Sequence, residues 1–165
     1  MSNRKGEFPS SLTPRKWGHP NSNRVARHLQ EELRDRGIIT NREVVIRKSE
    51  RTDIHIDAVI RNERREVYTS VTVIVEVKGC WNRELKTAMR TQLVERYLKD
   101  NHCQLGLYLI GWFKCDEWWG EGDDRKRDVP DMSIDEARKF FDAQAAELSQ
   151  QDVKVKALVL DATIR

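Results

Sequence analysis

The spacing of apolar and polar positions changes period several times along the chain, and each change marks an element. Residues 1–20 show no periodic apolar pattern and carry prolines at 9, 14 and 20 in a polar, basic setting, as expected of a loosely held arm. Val25, Leu29 and Leu33 then recur at a four-residue step, with Asn21 or Ser22 as the cap and Gly37 as the stop, which predicts a first helix. A short strand is expected over 43–47. The segment Asp53-Ile-His-Ile-Asp-Ala-Val-Ile alternates polar and apolar residues, the period of a half-buried strand. A charged turn at 62–66 separates it from Val71-Thr-Val-Ile-Val-Glu-Val-Lys78, where branched residues dominate and the β tendency is highest.

Residues 79–81 end that strand. A second helix is predicted from Asn82, with Leu85, Ala88, Met89, Leu93 and Tyr97 on one face. Residues 104–113 are almost continuously apolar, as in a strand covered on both sides. A charged, tryptophan-containing loop spans 115–131. Ser133 and Glu136 have the spacing of a capping box for a third helix running to about Ser149, and 153–163 reads as a closing strand. No internal repeat interrupts this order. The order is αβββαβ followed by αβ, an α/β domain over residues 21–165 behind the N-terminal arm, with a mixed central sheet flanked by helices.

Composition narrows the class of protein. The chain has 165 residues, 35% of them charged and 38% hydrophobic, which suits one compact domain with a polar surface. The longest apolar stretch, 105–113, is about half the ~20 residues that span a bilayer, and residues 1–20 contain no apolar core of a signal peptide. No membrane association is therefore expected. Cysteines at 80, 103 and 115 are odd in number and lack CxxC spacing, so they read as ordinary thiols suited to a reducing cytoplasm. With 30 basic and 27 acidic residues the net charge is +3, too balanced for a purely electrostatic nucleic-acid binder but compatible with a locally basic face. No GxxxxGK loop is present, which excludes a P-loop ATPase or helicase.

Candidate chemistry lies in the strand pair. Glu76 and Lys78 are two residues apart, so both side chains emerge on one face of their strand. Such groups are expensive to bury without partners, and a purely structural strand would carry valine, isoleucine or threonine there. The preceding strand offers Asp53 and Asp57 on a matching face, with His55 between them. A hairpin turning symmetrically near 64–65 sets Asp53 opposite Glu76, whereas a longer, lopsided loop sets Asp57 there. The symmetric turn needs the shorter loop and is favoured. Carboxylate oxygens with open coordination positions suit Mg²⁺, which lowers the pKa of a bound water and neutralises charge developing on a phosphoryl group. A neighbouring lysine can orient or deprotonate the attacking water. The expected reaction is metal-assisted hydrolysis of a phosphodiester.

On Asp53 or Asp57 followed by Glu76-Val77-Lys78, the chain resembles the PD-(D/E)XK nuclease superfamily, the restriction-endonuclease-like fold. The resemblance covers roughly residues 22–113, whose helix, three strands, helix and strand follow the common core of that group. It implies Mg²⁺-dependent cleavage of DNA, with Mn²⁺ able to substitute and endonuclease action favoured over exonuclease. It further implies that the aspartate and Glu76 bind metal while Lys78 assists the water. The proline that often precedes the aspartate is missing: Thr52 precedes Asp53 and Ile56 precedes Asp57. Many members place a glutamine on the helix after the E-x-K strand, which brings in Gln92; Tyr97 lies five residues further rather than four and is not carried over. Glu31 and Glu32 are weaker candidates, since some members add a glutamate from the first helix.

Arg83, Lys86 and Arg90, near the site helix, are candidate phosphate contacts. Trp118 and Trp119 are expected to anchor the domain edge more than to stack on bases, and His55 to be solvated or structural. By analogy the activity belongs to bacterial restriction or phage defence. A homodimer, or a larger complex supplying recognition, is compatible with the small size and the lack of a separate DNA reader. The alternative is a module of the same fold that binds nucleic acid or a protein partner without cleaving.

Overall fold

The computed structural model describes residues 67–114, 124–150 and 152–162, the strand segments 38–42, 45–47, 50–51 and 54–61, and the single positions Arg27, Glu31 and Arg64. The strands are β1 (Ile38–Arg42), β2 (Val45–Arg47), β3 (Glu50–Arg51), β4 (Ile54–Arg61), β5 (Val67–Gly79), β6 (Leu105–Trp112) and β7 (Lys154–Asp161). Two helices, α1 (Met89–Leu98) and α2 (Ile134–Leu148), follow β5 and β6 respectively, and a short 3₁₀ turn spans Asp124–Asp128. The architecture is mixed α/β.

Five strands form one sheet in the order β1-β4-β5-β6-β7, while β2 and β3 make a separate two-stranded ribbon. β1, β4 and β5 pair antiparallel; β5, β6 and β7 pair parallel. The parallel steps require crossovers, and α1 and α2 supply them. Both helices, and Leu85 in the turn before α1, bury apolar side chains against the same face of the sheet, where Leu85, Met89, Leu93 and Phe141 meet Ile74, Tyr108, Ile110 and Val159. Tyr108 satisfies its buried hydroxyl by donating to the Leu85 carbonyl at 2.8 Å. On the opposite face Ile54, Val75 and Leu109 form a second buried cluster, flanked by Ile56, Val73, Val77 and Leu107.

The expected strands over 53–60, 71–78, 104–113 and 153–163 correspond to β4 to β7, with β5 starting four residues earlier than expected. The short strand expected at 43–47 is present as β2 over 45–47, but outside the main sheet. The sheet strand is β1, five residues nearer the N-terminus, and 45–47 belongs to the ribbon instead. The branched run Ile38-Ile39-Thr40 directly after Gly37 is the better strand former. Of the first expected helix only Arg27 and Glu31 are described, both helical and exposed. The arm at 1–20, Glu32, Cys115, Trp118 and Trp119 lie outside the described residues.

The helix expected from Asn82 begins at Met89 instead, after a run of turns over 83–87, and the expected residues Leu85, Ala88, Met89, Leu93 and Tyr97 are buried. Its body, however, is wound as a π-helix over Met89–Leu98 rather than an α-helix, a winding that is rare and frequent at functional sites. α2 starts with the full capping box: the Glu136 N–H donates to Ser133 Oγ, and the Ser133 N–H donates back to the Glu136 carboxylate at 2.7 Å. No described helix is long and apolar enough to cross a membrane.

Candidate active site

β5 carries Ile74, Glu76 and Lys78 toward the helix-covered face and Val75 and Val77 toward the other, as period-2 alternation requires. Across the parallel ladder Glu76 pairs with Tyr108 and Lys78 with Ile110. Glu76 is only 2% exposed and is the one charged residue fully buried among the described residues. Its Oε1 lies 2.5 Å from Lys78 Nζ. A close ion pair beneath a helix, inside a strand of otherwise branched apolar residues, costs desolvation that a hydrocarbon pair would not.

α1 continues the network. Lys78 Nζ donates to Gln92 Oε1 at 2.8 Å, and Gln92 Nε2 donates to Glu84 Oε2 at 2.6 Å. The Glu84 N–H is held in turn by Asn82 Oδ1 at 2.8 Å, in the tight turn that leads from β5 into the helix. Glu76, Lys78 and Gln92, singled out in the sequence, are therefore brought together. Glu84 was missed. Its signal was available: Glu84 and Gln92 each immediately precede an inward-facing leucine, Leu85 and Leu93, and so share one border of the buried helix face.

Gly79 closes the strand because a side chain there would collide with its neighbour: an added Cβ would lie 2.7 Å from the Trp81 ring. That indole packs on Phe113 at 5.3 Å and lies under the Arg125 guanidinium at 5.2 Å, which fixes the strand end beside Lys78.

The hairpin takes the symmetric register. Ile54 pairs with Val75, Ile56 with Val73 and Asp57 with Thr72, with one irregularity between Ile60 and Arg61. Arg64 sits in the exposed turn. The lopsided arrangement, which would set Asp57 against Glu76, is thus not adopted. Asp57 instead accepts a hydrogen bond from Thr72 Oγ1 at 2.7 Å, and His55 Nε2 lies 3.9 Å from its Oδ1. Thr72 and Glu76 are four residues apart on β5, about 13 Å along a strand, too far for Asp57 and Glu76 to share one ion directly. Asp53 lies outside the described residues.

The three basic candidates are engaged within the molecule. Arg83 Nε pairs with Asp128 at 3.2 Å, Arg90 with Glu147 of α2 at 2.6 Å, and Lys86 Nζ lies 5.8 Å from the Phe140 ring. These contacts tie α1 and the turn before it to α2 and the 3₁₀ turn. Burial pushes the Cys80 thiol up to about 11, against a smaller opposing effect of the Phe113 N–H that donates to its sulfur at 3.3 Å. The half-buried Cys103 is also raised, first by desolvation and then by the Asp57 charge.

No group of three or more His, Cys, Asp or Glu side chains converges at metal-holding distance among the described residues. Glu76 nevertheless offers what Mg²⁺ takes, a hard oxygen donor, and that ion commonly uses only one or two protein carboxylates. Comparisons with protein-family models, curated proteins and solved structures give no match.

Proposed function

We propose that the chain is a Mg²⁺-dependent nuclease domain that hydrolyses phosphodiester bonds of DNA, built on the restriction-endonuclease-like plan. The observation that carries this reading is the buried Glu76–Lys78 pair, with Gln92 hydrogen-bonded to the lysine. Packing alone gives no reason to retain such a pair, whereas phosphoryl transfer needs an anionic metal ligand next to a proton-handling ammonium. The order of hairpin, β5, crossover helix and parallel β6 also agrees with the proposed core.

In this reading Glu76 and Asp53 hold the ion. Ile54 is paired with Val75, and one further step along that antiparallel ladder would set Asp53 against Glu76. A bound Mg²⁺ supplies charge neutralisation at the phosphoryl oxygens and a more acidic water. Lys78, as an ammonium held between Glu76 and Gln92, donates a hydrogen bond that orients the attacking water, and Gln92 fixes the direction of that ammonium. The helix packed over this face limits solvent around Glu76, which strengthens each charge interaction.

The test is incubation with closed-circular and linear DNA in Mg²⁺, Mn²⁺ or EDTA. Nicking or linearisation of the circle with either metal, abolished by EDTA and by Lys78→Met, is the expected result. Attack on linear ends alone would make the enzyme an exonuclease. No cleavage of any DNA would overturn the reading.

A further inference from the structure

We propose that Glu84, a residue outside the E-x-K pattern, is a positioning residue that locks the amide of Gln92 and through it aims the Lys78 ammonium; the inference rests on the nuclease reading above for its effect on catalysis. The argument is one of donors and acceptors. A lysine ammonium only donates and a carboxylate only accepts. Gln92 lies between them, 2.8 Å from Lys78 and 2.6 Å from Glu84. Its oxygen must then face the lysine and its nitrogen the glutamate, and the reversed amide would break both bonds. Without an acceptor at position 84 the amide is free to rotate, and its NH₂ would confront the ammonium for part of the time.

Glu84 is itself held in place. Asn82 fixes its backbone N–H, and Leu85, the next residue, is anchored in the core. The Glu84 side chain is exposed, so its replacement leaves packing untouched. One hydrogen bond at the rim thereby sets the geometry of a half-buried one.

The experiment compares Glu84→Gln with Glu84→Leu in the full chain. Both remove the charge, but only glutamine keeps an acceptor for Gln92 Nε2. Two readouts are taken: DNA cleavage, and the ¹H–¹⁵N resonance of the Gln92 side-chain amide, assigned with Gln92→Ala. Glu84→Gln should retain kcat and leave the amide resonance in place. Glu84→Leu should lower kcat roughly threefold to tenfold, the value of one hydrogen bond, with KM unchanged and the resonance displaced. Equal amide resonances in the two variants, or equal kcat in a protein that cuts DNA, would overturn the positioning role. If the unmodified protein cuts no DNA while the resonance still separates the variants, the lock stands and the nuclease reading fails.

Discussion

Glu76 and Lys78 occupy positions where a strand shaped by packing alone would carry hydrocarbon, and that contrast is testable as a stability effect. Lys78→Ala removes the cation paired with a carboxylate that is 2% exposed, which should destabilise the fold by up to about 3–5 kcal/mol in addition to abolishing cleavage. The double variant Glu76→Leu/Lys78→Met removes both charges and should be at least as stable as the parent in chemical denaturation, yet inactive. A double variant as unstable as the single one would identify the pair as a packing element. Asp57→Asn keeps an acceptor for Thr72 and should retain most cleavage, whereas Asp53→Asn should lose it by roughly 10²-fold or more. The reverse result in a plasmid assay would reassign the ligand. Cys80 supplies a pH dependence: its folded-state pKa, about 11 against an ordinary 9.0, means that the buried thiol contributes stability fully present below pH 9. That contribution is lost as the pH rises through 9 to 11, because the unfolded chain ionises first. Urea denaturation should show a shallower decline over this range in Cys80→Ala than in the parent. At this scale the sequence disclosed the shared face of Glu76 and Lys78 and the nearness of Gln92, since both follow from fixed periodicities. It left Asp53 and Asp57 unresolved, because register depends on how the turn closes and one residue's difference changes every partner.

Strands and helices were legible in proportion to the strength of their local pattern. β5 and β6 have dense branched or apolar runs, and α2 has a capping box that reads directly from Ser133 and Glu136. β1 was displaced because its five residues follow immediately on Gly37, where a helix stop and a strand start compete for the same signal. The π-winding of α1 was not visible in the sequence, because the four-residue spacing of Met89, Leu93 and Tyr97 serves a wide helix and a normal one equally well. Two substitutions test these local devices. Ser133→Ala removes the side-chain cap of α2 and should cost about 1 kcal/mol in thermal or chemical denaturation. Acid should weaken the same cap in the parent, because hydrogen bonds from the Ser133 backbone and hydroxyl hold the Glu136 carboxyl below its ordinary value. That support is present at neutral pH and is lost as the pH falls through the depressed value. Gly79→Ala drives a methyl group into the Trp81 ring. It should disturb the strand end next to Lys78, lowering turnover as well as stability.

Over the whole molecule, charge was the least informative property. A net charge of +3 conceals how the basic side chains are used: Arg83, Lys86 and Arg90 brace α1 and its turn against neighbouring elements. DNA binding, if driven by phosphate contacts, should weaken linearly in log Kd against log salt. A flat response would favour a protein partner. The mixed sheet was legible as a class because hairpin signals and crossover signals occur in separate parts of the chain. How the two parts meet was not, since it depends on which edge of β5 each strand takes.

That meeting point has a dynamic consequence. β4 is paired to residues 67–75 of β5, and β6 to residues 73–79. β6 is bordered by β5 and β7 along nearly its full length. Glu76 and Lys78 therefore ride on the parallel half of the sheet, while β4, which carries Asp57 and directly follows Asp53 in sequence, belongs to the antiparallel half. These halves need not open together, because native proteins open in cooperative units. Amide hydrogen exchange should find β6 slowest and β4 faster. Added Mg²⁺ should slow β4 far more than β6, because an ion shared by the two halves would fasten the looser one to the tighter.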